Sequence, residues 1–230
     1  MVFAAGLGKR MRPFTDTTPK PLARVGGKTL IDYTLDDLAG AGVELAVVNV
    51  HHLPEQIENH LAARKNPRIA ISDERPLLLD QGGGIKKALP FFADKPFFIC
   101  NTDAFWKDAG AENLRALARA WDADKMDVLL LLANTQGNVG VDWDGDFERD
   151  SAGRLSQPEG ARRYVYAGAG IVKPQFFANV AEDVFRLAPF FFEAQRQGRL
   201  FGVASDALWL HVGTVAAIGE AERALTAHAS

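Results

Sequence analysis

The stretch from residue 4 to residue 22 constrains the fold most, because glycines follow directly on a short apolar opening. Residues 1–4 predict a first strand, and Gly6 and Gly8 fall where the chain turns back over the sheet edge. A glycine lets backbone N–H groups approach an anion closely, since it has no Cβ. Arg10 and Lys20 add permanent positive charge nearby. The pattern indicates a phosphate site, and the alternative is an ordinary tight turn.

The periodicity of apolar residues predicts that strands and helices alternate along the chain. This alternation is typical of an α/β fold with a mixed, mostly parallel sheet and helices on both faces. The predicted helices cover 29–41, 112–121 and 214–225, with another that begins at residue 54, and the predicted strands cover 45–50, 68–72, 96–100, 127–133, 164–172, 200–204 and 208–212.

Three consecutive glycines interrupt this alternation in the sequence Asp80-Gln81-Gly82-Gly83-Gly84-Ile85. We interpret residues 80–85 as a loop before a helix. Three glycines have a large entropic cost unless something must lie against the backbone, and a planar base is a good candidate. The alternative is a flexible turn between a strand and a helix.

A carboxylate follows the predicted strand 96–100 in the sequence Asn101-Thr102-Asp103. In open α/β sheets, ligands bind outside the carboxyl ends of the strands. Asp103 is therefore a candidate ligand for Mg²⁺, which prefers carboxylate and phosphate oxygens. The alternative is that Asp103 caps a helix.

The composition bounds the possible partners. The chain has 230 residues, of which 47% are hydrophobic and 24% charged, so we expect one domain over 1–230 with a substantial core. The net charge of −3 offers no basic surface for nucleic acid or a membrane. With a single cysteine, Cys100, and no signal peptide at the N-terminus, we expect a soluble cytoplasmic protein.

The first stretch resembles the signature of the sugar-1-phosphate nucleotidyltransferases, G-x-G-x-R followed by P-K-P. Its longer form here, A-A-G-L-G-K-R-M-R-P-F-T and then P-K-P-L, is most similar to the N-acetylmuramate-1-phosphate uridylyltransferase branch, with mannose-1-phosphate guanylyltransferases next. The resemblance implies a GT-A-like, Rossmann-related domain. Within it, we expect residues 134–172 to form an insertion or lid on the sugar side.

The resemblance also implies roles for individual residues. Arg10 would bind the leaving pyrophosphate, Lys20 would bind the α-phosphate and the incoming sugar phosphate, and Asp103 would bind Mg²⁺, with Mn²⁺ as an alternative metal. The remaining expected contacts are Ala5, Gly6 and Gly8 with the triphosphate, Gln81, Gly82 and Gly83 with the base, and Asn101 and Gly168 with the substrate.

One motif departs from the family pattern. The sequence Trp209-Leu210-His211-Val212-Gly213-Thr214 stands where the family has W-x-D-x-G-T, whose aspartate is a second magnesium ligand. Imidazole is a softer ligand that suits Zn²⁺, Mn²⁺ or Ni²⁺ better than Mg²⁺. His211 is thus a candidate metal ligand, and the alternatives are a hydrogen bond to a phosphate or a metal-bound water, or a weakened site.

The resemblance implies transfer of a nucleotidyl group from an NTP to a sugar-1-phosphate. The resemblance favours UTP and N-acetylmuramate-1-phosphate, in the recycling of cell-wall sugars. The alternatives are guanylyl transfer to mannose- or heptose-1-phosphate, nucleotide-sugar binding without turnover, and an NAD-dependent oxidoreductase, which the missing third glycine of its fingerprint disfavours. The sequence does not predict an oligomeric state.

Overall fold

The computed structural model describes residues 1–227 and contains, within that range, thirteen strands and seven α-helices. The strands are β1 (Val2–Phe3), β2 (Arg24–Val25), β3 (Lys28–Thr29), β4 (Leu45–Val50), β5 (Arg68–Asp73), β6 (Phe97–Asn101), β7 (Ala104–Trp106), β8 (Val128–Asn134), β9 (Glu148–Arg149), β10 (Leu155–Ser156), β11 (Tyr164–Val172), β12 (Leu200–Ser205) and β13 (Trp209–His211). The helices are α1 (Leu30–Gly40), α2 (Pro54–Leu61), α3 (Asp80–Ala88), α4 (Gly110–Ala120), α5 (Gln175–Ala178), α6 (Ala188–Arg196) and α7 (Val215–Ala227). None of these helices is both long enough and apolar enough to cross a membrane.

A seven-stranded sheet in the order β12-β8-β11-β6-β1-β4-β5 forms the centre of the molecule. Its strands run in one direction except β11, which pairs antiparallel with both β6 and β8. The prediction of a mixed, mostly parallel sheet is therefore confirmed.

Hydrophobic residues on both faces of this sheet explain why its strands read as continuous apolar runs. Along β1 and β4 the side chains alternate between two buried clusters, with Val2 and Val48 on one face and Phe3 and Val47 on the other. The first face packs against α1, α2 and α4, and the second against α3, α5 and α6. The helices thus cover both sides of the sheet.

The parallel strands β1, β4, β5 and β6 end at the same edge of the sheet. The register pairs Phe3 of β1 with Asn49 of β4 and with Asn101 of β6. The loops that follow these strands, which carry the glycines after β1 and Asp103 after β6, therefore meet at one edge.

Residues 80–85 form the start of a helix, so the prediction of a loop there is wrong. Helix α3 begins at Asp80, and its three glycines are buried. The close neighbours that we expected for these glycines belong to the protein itself. A Cβ on Gly82 would clash with the Phe185 ring, and one on Gly83 would clash with the Asp183 carbonyl oxygen. Tight packing outweighs the low helix propensity of glycine here.

The range 134–172, which we expect to be a sugar-side insertion, divides into two parts. Residues 135–163 include the short antiparallel hairpin of β9 and β10. Strand β11, at 164–172, lies between β6 and β8 in the central sheet and so belongs to the core. A role for 135–163 beside the sugar stays a prediction.

We expect Gly83→Ala to destabilise the fold, although propensity alone favours alanine in a helix by about 1 kcal/mol. The added methyl group has no room beside the Asp183 carbonyl, so the free energy of unfolding should fall by about 1–3 kcal/mol. Urea denaturation measures this change. Gly219 in α7 is the control, since its Cβ would meet only Arg223 Nη1 at 3.5 Å. Gly219→Ala should stabilise the protein, and equal stabilisation by both variants would contradict the packing explanation.

Candidate active site

A cavity of about 580 Å³ lies at the carboxyl edge of β1, β4, β5 and β6. It brings together most of the candidate site residues that the sequence predicts, and these come from four separate parts of the chain. These residues are Ala5, Gly6, Gly8, Arg10, Lys20, Gln81, Asn101 and Asp103.

The two glycines after β1 differ in what the fold demands of them. Gly8 has a φ of 60°, and a Cβ there would lie 2.7 Å from Thr15 Cγ2. A Cβ on Gly6 would have no atom within 4 Å, because it would point into open space. Gly8 is thus required by the turn, whereas the space at Gly6 is available to a ligand.

Three hydrogen bonds fix the start and end of this glycine loop. Ala4 N–H donates to Asn49 Oδ1 at 2.7 Å, and the Thr102 hydroxyl donates to the Phe3 carbonyl at 2.8 Å. The Thr15 hydroxyl donates to the Gly8 carbonyl at 3.0 Å. The backbone that lines the cavity is therefore positioned before a ligand binds.

Lys20 and Asp103 form an ion pair in the cavity wall. Lys20 Nζ lies 2.8 Å from Asp103 Oδ2, and the two side chains are 14% and 27% exposed. Burial acts to raise the pKa of Asp103, but His211 and Lys20 outweigh it and hold that pKa well below its usual range. Asp103 is therefore a carboxylate at neutral pH.

His211 reaches Asp103 because β13 pairs antiparallel with β7, which places His211 opposite Ala104. Its Nε2 lies 3.8 Å from Asp103 Oδ2, and its Nδ1 lies 3.1 Å from the Gly140 carbonyl oxygen. A carbonyl oxygen only accepts, so Nδ1 carries a proton that it donates to Gly140, and Nε2 faces the carboxylate. The departure from the family motif thus places an imidazole nitrogen, oriented by the backbone, beside Asp103.

Gly213 allows Arg10 and His211 to approach each other. A Cβ on Gly213 would lie 3.0 Å from His211 Cε1 and 3.3 Å from Arg10 Nη1. Gly213 itself lines the cavity. Arg10 and Asp103 also line the cavity, whereas His211 is not among its lining residues and lies next to Gly213 and Asp103.

Gln81 and Asn101 also line the cavity, and their side chains contact each other. Gln81 Nε2 donates to Asn101 Oδ1 at 3.0 Å. Gly168, which has a φ of 78°, lies beside the Asn101 side chain, at an irregularity in the pairing of β11 with β8. Gly168 is not among the residues that line the cavity, so the fold itself explains this glycine.

Gly82 and Gly83 also lie outside the cavity lining. Both of their N–H groups donate to the Phe185 carbonyl, at 3.0 and 3.2 Å. Val184, on the same segment, does line the cavity, and it is about half exposed. Of this glycine motif, Gln81 is the predicted base contact that the structure places at the cavity.

The cavity also contains residues that the sequence analysis missed, above all Asn49, Glu74, Val184 and Gly213. A usable signal existed for Asn49 and Glu74, since each is a polar residue at the carboxyl end of an apolar strand. Val184 carried no comparable signal, because it lies in a segment distant from the other motifs.

Comparison with known proteins agrees with this geometry. The profile of the family described as MobA-like NTP transferase domain matches residues 1–171. The chain belongs to this family. Membership leaves the alternative of an NAD-dependent oxidoreductase without support.

Two relatives are similar over nearly their whole length. The N-acetylmuramate alpha-1-phosphate uridylyltransferase of Caulobacter vibrioides is 44% identical over 93% of this chain and 90% of its own. The protein of that name from Neisseria meningitidis serogroup B is 37% identical over 96% of each. Among solved structures, a Bacillus anthracis protein described as a glucose-1-phosphate thymidylyltransferase superimposes with a TM-score of 0.80 at 14% identity, over 97% of this chain and 93% of its own. The last likeness shows the fold alone.

The donor groups fit a divalent metal that shares its coordination with a nucleotide. Within residues 1–227, no three His, Cys, Asp or Glu side chains are close enough together to hold an ion. Asp103 and His211 offer one carboxylate and one imidazole nitrogen. An ion that takes its other ligands from phosphate oxygens and water suits such a pair.

We expect Gly6→Ala and Gly8→Ala to fail in different ways. Gly6→Ala should leave the melting temperature unchanged and raise the KM for the nucleotide, because its methyl group fills space open to a ligand. Gly8→Ala should lower the free energy of unfolding by about 1–2 kcal/mol, because it places a Cβ in the left-handed region. Thermal denaturation and steady-state kinetics separate the two effects. A destabilised Gly6→Ala would contradict this assignment.

Proposed function

We propose that this NTP transferase joins the uridylyl group of UTP to N-acetylmuramate-1-phosphate, giving a UDP-sugar and pyrophosphate. A phosphate oxygen of the sugar phosphate attacks the α-phosphorus. The bond from that phosphorus to the oxygen that bridges it to the β-phosphorus breaks, and pyrophosphate leaves with the bonding electrons. The step requires no nucleophile from the protein, so positioning and charge neutralisation are the catalytic contributions.

The observation that carries this proposal is the ion pair of Lys20 and Asp103, which lines the same cavity as the glycine loop. Lys20 is a mobile cation that can exchange its carboxylate partner for phosphate oxygens. Arg10, on the exposed side near Gly213, suits the leaving pyrophosphate. The glycine loop, with its open space at Gly6, suits the triphosphate.

We assign the divalent metal, Mg²⁺ or Mn²⁺, to Asp103 and His211. When bound there, it would neutralise charge on the phosphate oxygens. Asp103 supplies the charged oxygen ligand, and the Gly140 carbonyl keeps His211 Nε2 turned towards it. In this proposal His211 is an adapted ligand rather than the mark of a weakened site.

The choice of UTP and N-acetylmuramate-1-phosphate rests on the two relatives, both of which have that substrate in their names. Guanylyl transfer to mannose- or heptose-1-phosphate is the alternative, with less support. We place the reaction in the cytoplasm, where UTP is available, and in the recycling of cell-wall sugars.

Pyrophosphate release tests the proposal directly. UTP and GTP are each assayed with N-acetylmuramate-1-phosphate, mannose-1-phosphate and glucose-1-phosphate, in Mg²⁺ and then in Mn²⁺. We expect release with UTP and N-acetylmuramate-1-phosphate. Lys20→Ala and Asp103→Ala should each lower kcat by about 10²–10³-fold, because each removes charge stabilisation at the reacting phosphate.

The Lys173–Asp127 pair provides a matched control. Its atoms lie 3.0 Å apart and its side chains are 22% and 15% exposed, but it lies away from the cavity. Lys173→Ala should leave kcat within about twofold of the wild type, since an ion pair of this kind acts on stability alone. Release confined to GTP would overturn the choice of UTP, and full activity of Lys20→Ala would overturn the assigned site.

We expect His211→Asp to shift the metal preference of the protein from Mn²⁺ towards Mg²⁺. A second carboxylate is a harder ligand than imidazole, so Mg²⁺ should bind several-fold more tightly. Isothermal titration calorimetry, in which each metal is titrated into the UTP complex, measures this change without turnover. Unchanged affinities for both metals in His211→Asp and His211→Ala would contradict a ligand role for His211.

A further inference from the structure

Two buried polar side chains in the cavity wall connect the glycine loop with the residue before α3. Asn49 is the fifth residue of β4 and Glu74 follows β5, and their side chains are buried at 3% and 1% exposure. Both line the cavity, yet neither has a role in the reaction proposed above. A buried carboxylate is costly unless its oxygens accept hydrogen bonds, so its partners show what it does.

Four groups form a continuous chain of hydrogen bonds across three strand ends. Ala4 N–H donates to Asn49 Oδ1 at 2.7 Å, and Asn49 Nδ2 donates to Glu74 Oε1 at 2.8 Å. Leu79 N–H donates to Glu74 Oε2 at 3.2 Å. The chain thus runs from the glycine loop after β1 to the residue before α3.

The direction of every bond in this chain is fixed by its two ends. Ala4 N–H and Leu79 N–H are backbone groups and can only donate. The amide oxygen of Asn49 must therefore face Ala4, which turns its NH₂ group towards position 74. Position 74 must then accept from both sides, and a carboxylate is the side-chain group of that length which does so.

The third glycine of α3 belongs to the same arrangement. A Cβ on Gly84 would lie 2.8 Å from Glu74 Oε1 and 3.0 Å from Asn49 Nδ2. The helix therefore packs its bare backbone against the bond between the two side chains. This close approach leaves no room for a side chain between α3 and the bond.

We propose that Asn49 and Glu74 form a directional relay that positions the glycine loop relative to the start of α3. Both are positioning residues. Through Ala4 the relay sets the backbone on which the triphosphate lies, and through Leu79 it sets the start of the helix that carries Gln81. This inference rests on the proposed function, because it assigns nucleotide to that cavity.

The test reverses the direction of the hydrogen bond between positions 49 and 74. The N–H groups of Ala4 and Leu79 each keep an acceptor. In Glu74→Gln combined with Asn49→Asp, the aspartate still accepts from Ala4, the glutamine oxygen still accepts from Leu79, and the glutamine NH₂ donates to the aspartate. Net charge is unchanged. Each single variant instead places two donors or two acceptors face to face, which leaves a buried group unpaired.

Nucleotide affinity is measured by calorimetry without sugar phosphate, and stability by thermal denaturation. The wild type is titrated first with UTP and GTP, and the variants are compared with whichever nucleotide it binds. An error in the proposed base therefore leaves this test intact. Glu148→Gln is the control, because Glu148 also accepts from a backbone N–H, that of Arg163, but away from the cavity.

We expect each single variant to weaken nucleotide binding about tenfold or more. The double variant should return to within about threefold of the wild type, and Glu148→Gln should bind normally. If a single variant does not fold, a double variant that folds and binds still supports the relay. A double variant that does not fold, or that binds no better than the weaker single variant, would overturn it and favour direct contact of Glu74 with the ligand.

Discussion

Parallel pairing of β1 with both β4 and β6 is the constraint on which the rest of the site depends. Strands that run side by side in one direction end at one edge, so residues far apart in the chain meet there. The glycine loop and Asp103 are separated by about a hundred positions, yet both line the same cavity. The antiparallel ribbon of β7 and β13 then adds His211 to this edge.

Charge at this edge is balanced before any nucleotide binds. Lys20 is held by Asp103, and the same carboxylate faces His211. In the proposed reaction, a triphosphate would bring oxygens that compete for Lys20, while a divalent metal would compete for Asp103. Nucleotide and metal would then each take one partner of the existing ion pair, so neither buried charge would be left without a partner.

The sequence was sufficient to find the residues whose roles are local. Gly8 has to turn, Lys20 carries a charge, and Asp103 follows an apolar strand, and each of these facts can be read within a few positions. The alternation of elements likewise predicted the sheet. The hydrogen bond between Asn49 and Glu74 could not be predicted from nearby positions in the sequence, because it depends on the register of β1, β4 and β5. That register is a property of the assembled sheet.

The three glycines of α3 show why local propensity failed to predict a helix in this closely packed part of the structure. Each glycine costs a helix about 1 kcal/mol, so a loop was the reasonable expectation. In the fold, the segment that carries Phe185 packs directly against Gly82 and Gly83, and the side chains of Asn49 and Glu74 pack directly against Gly84. A larger residue at any of the three would push apart elements that line the cavity. Packing between distant segments therefore decides the secondary structure here, and the same contacts shape the site.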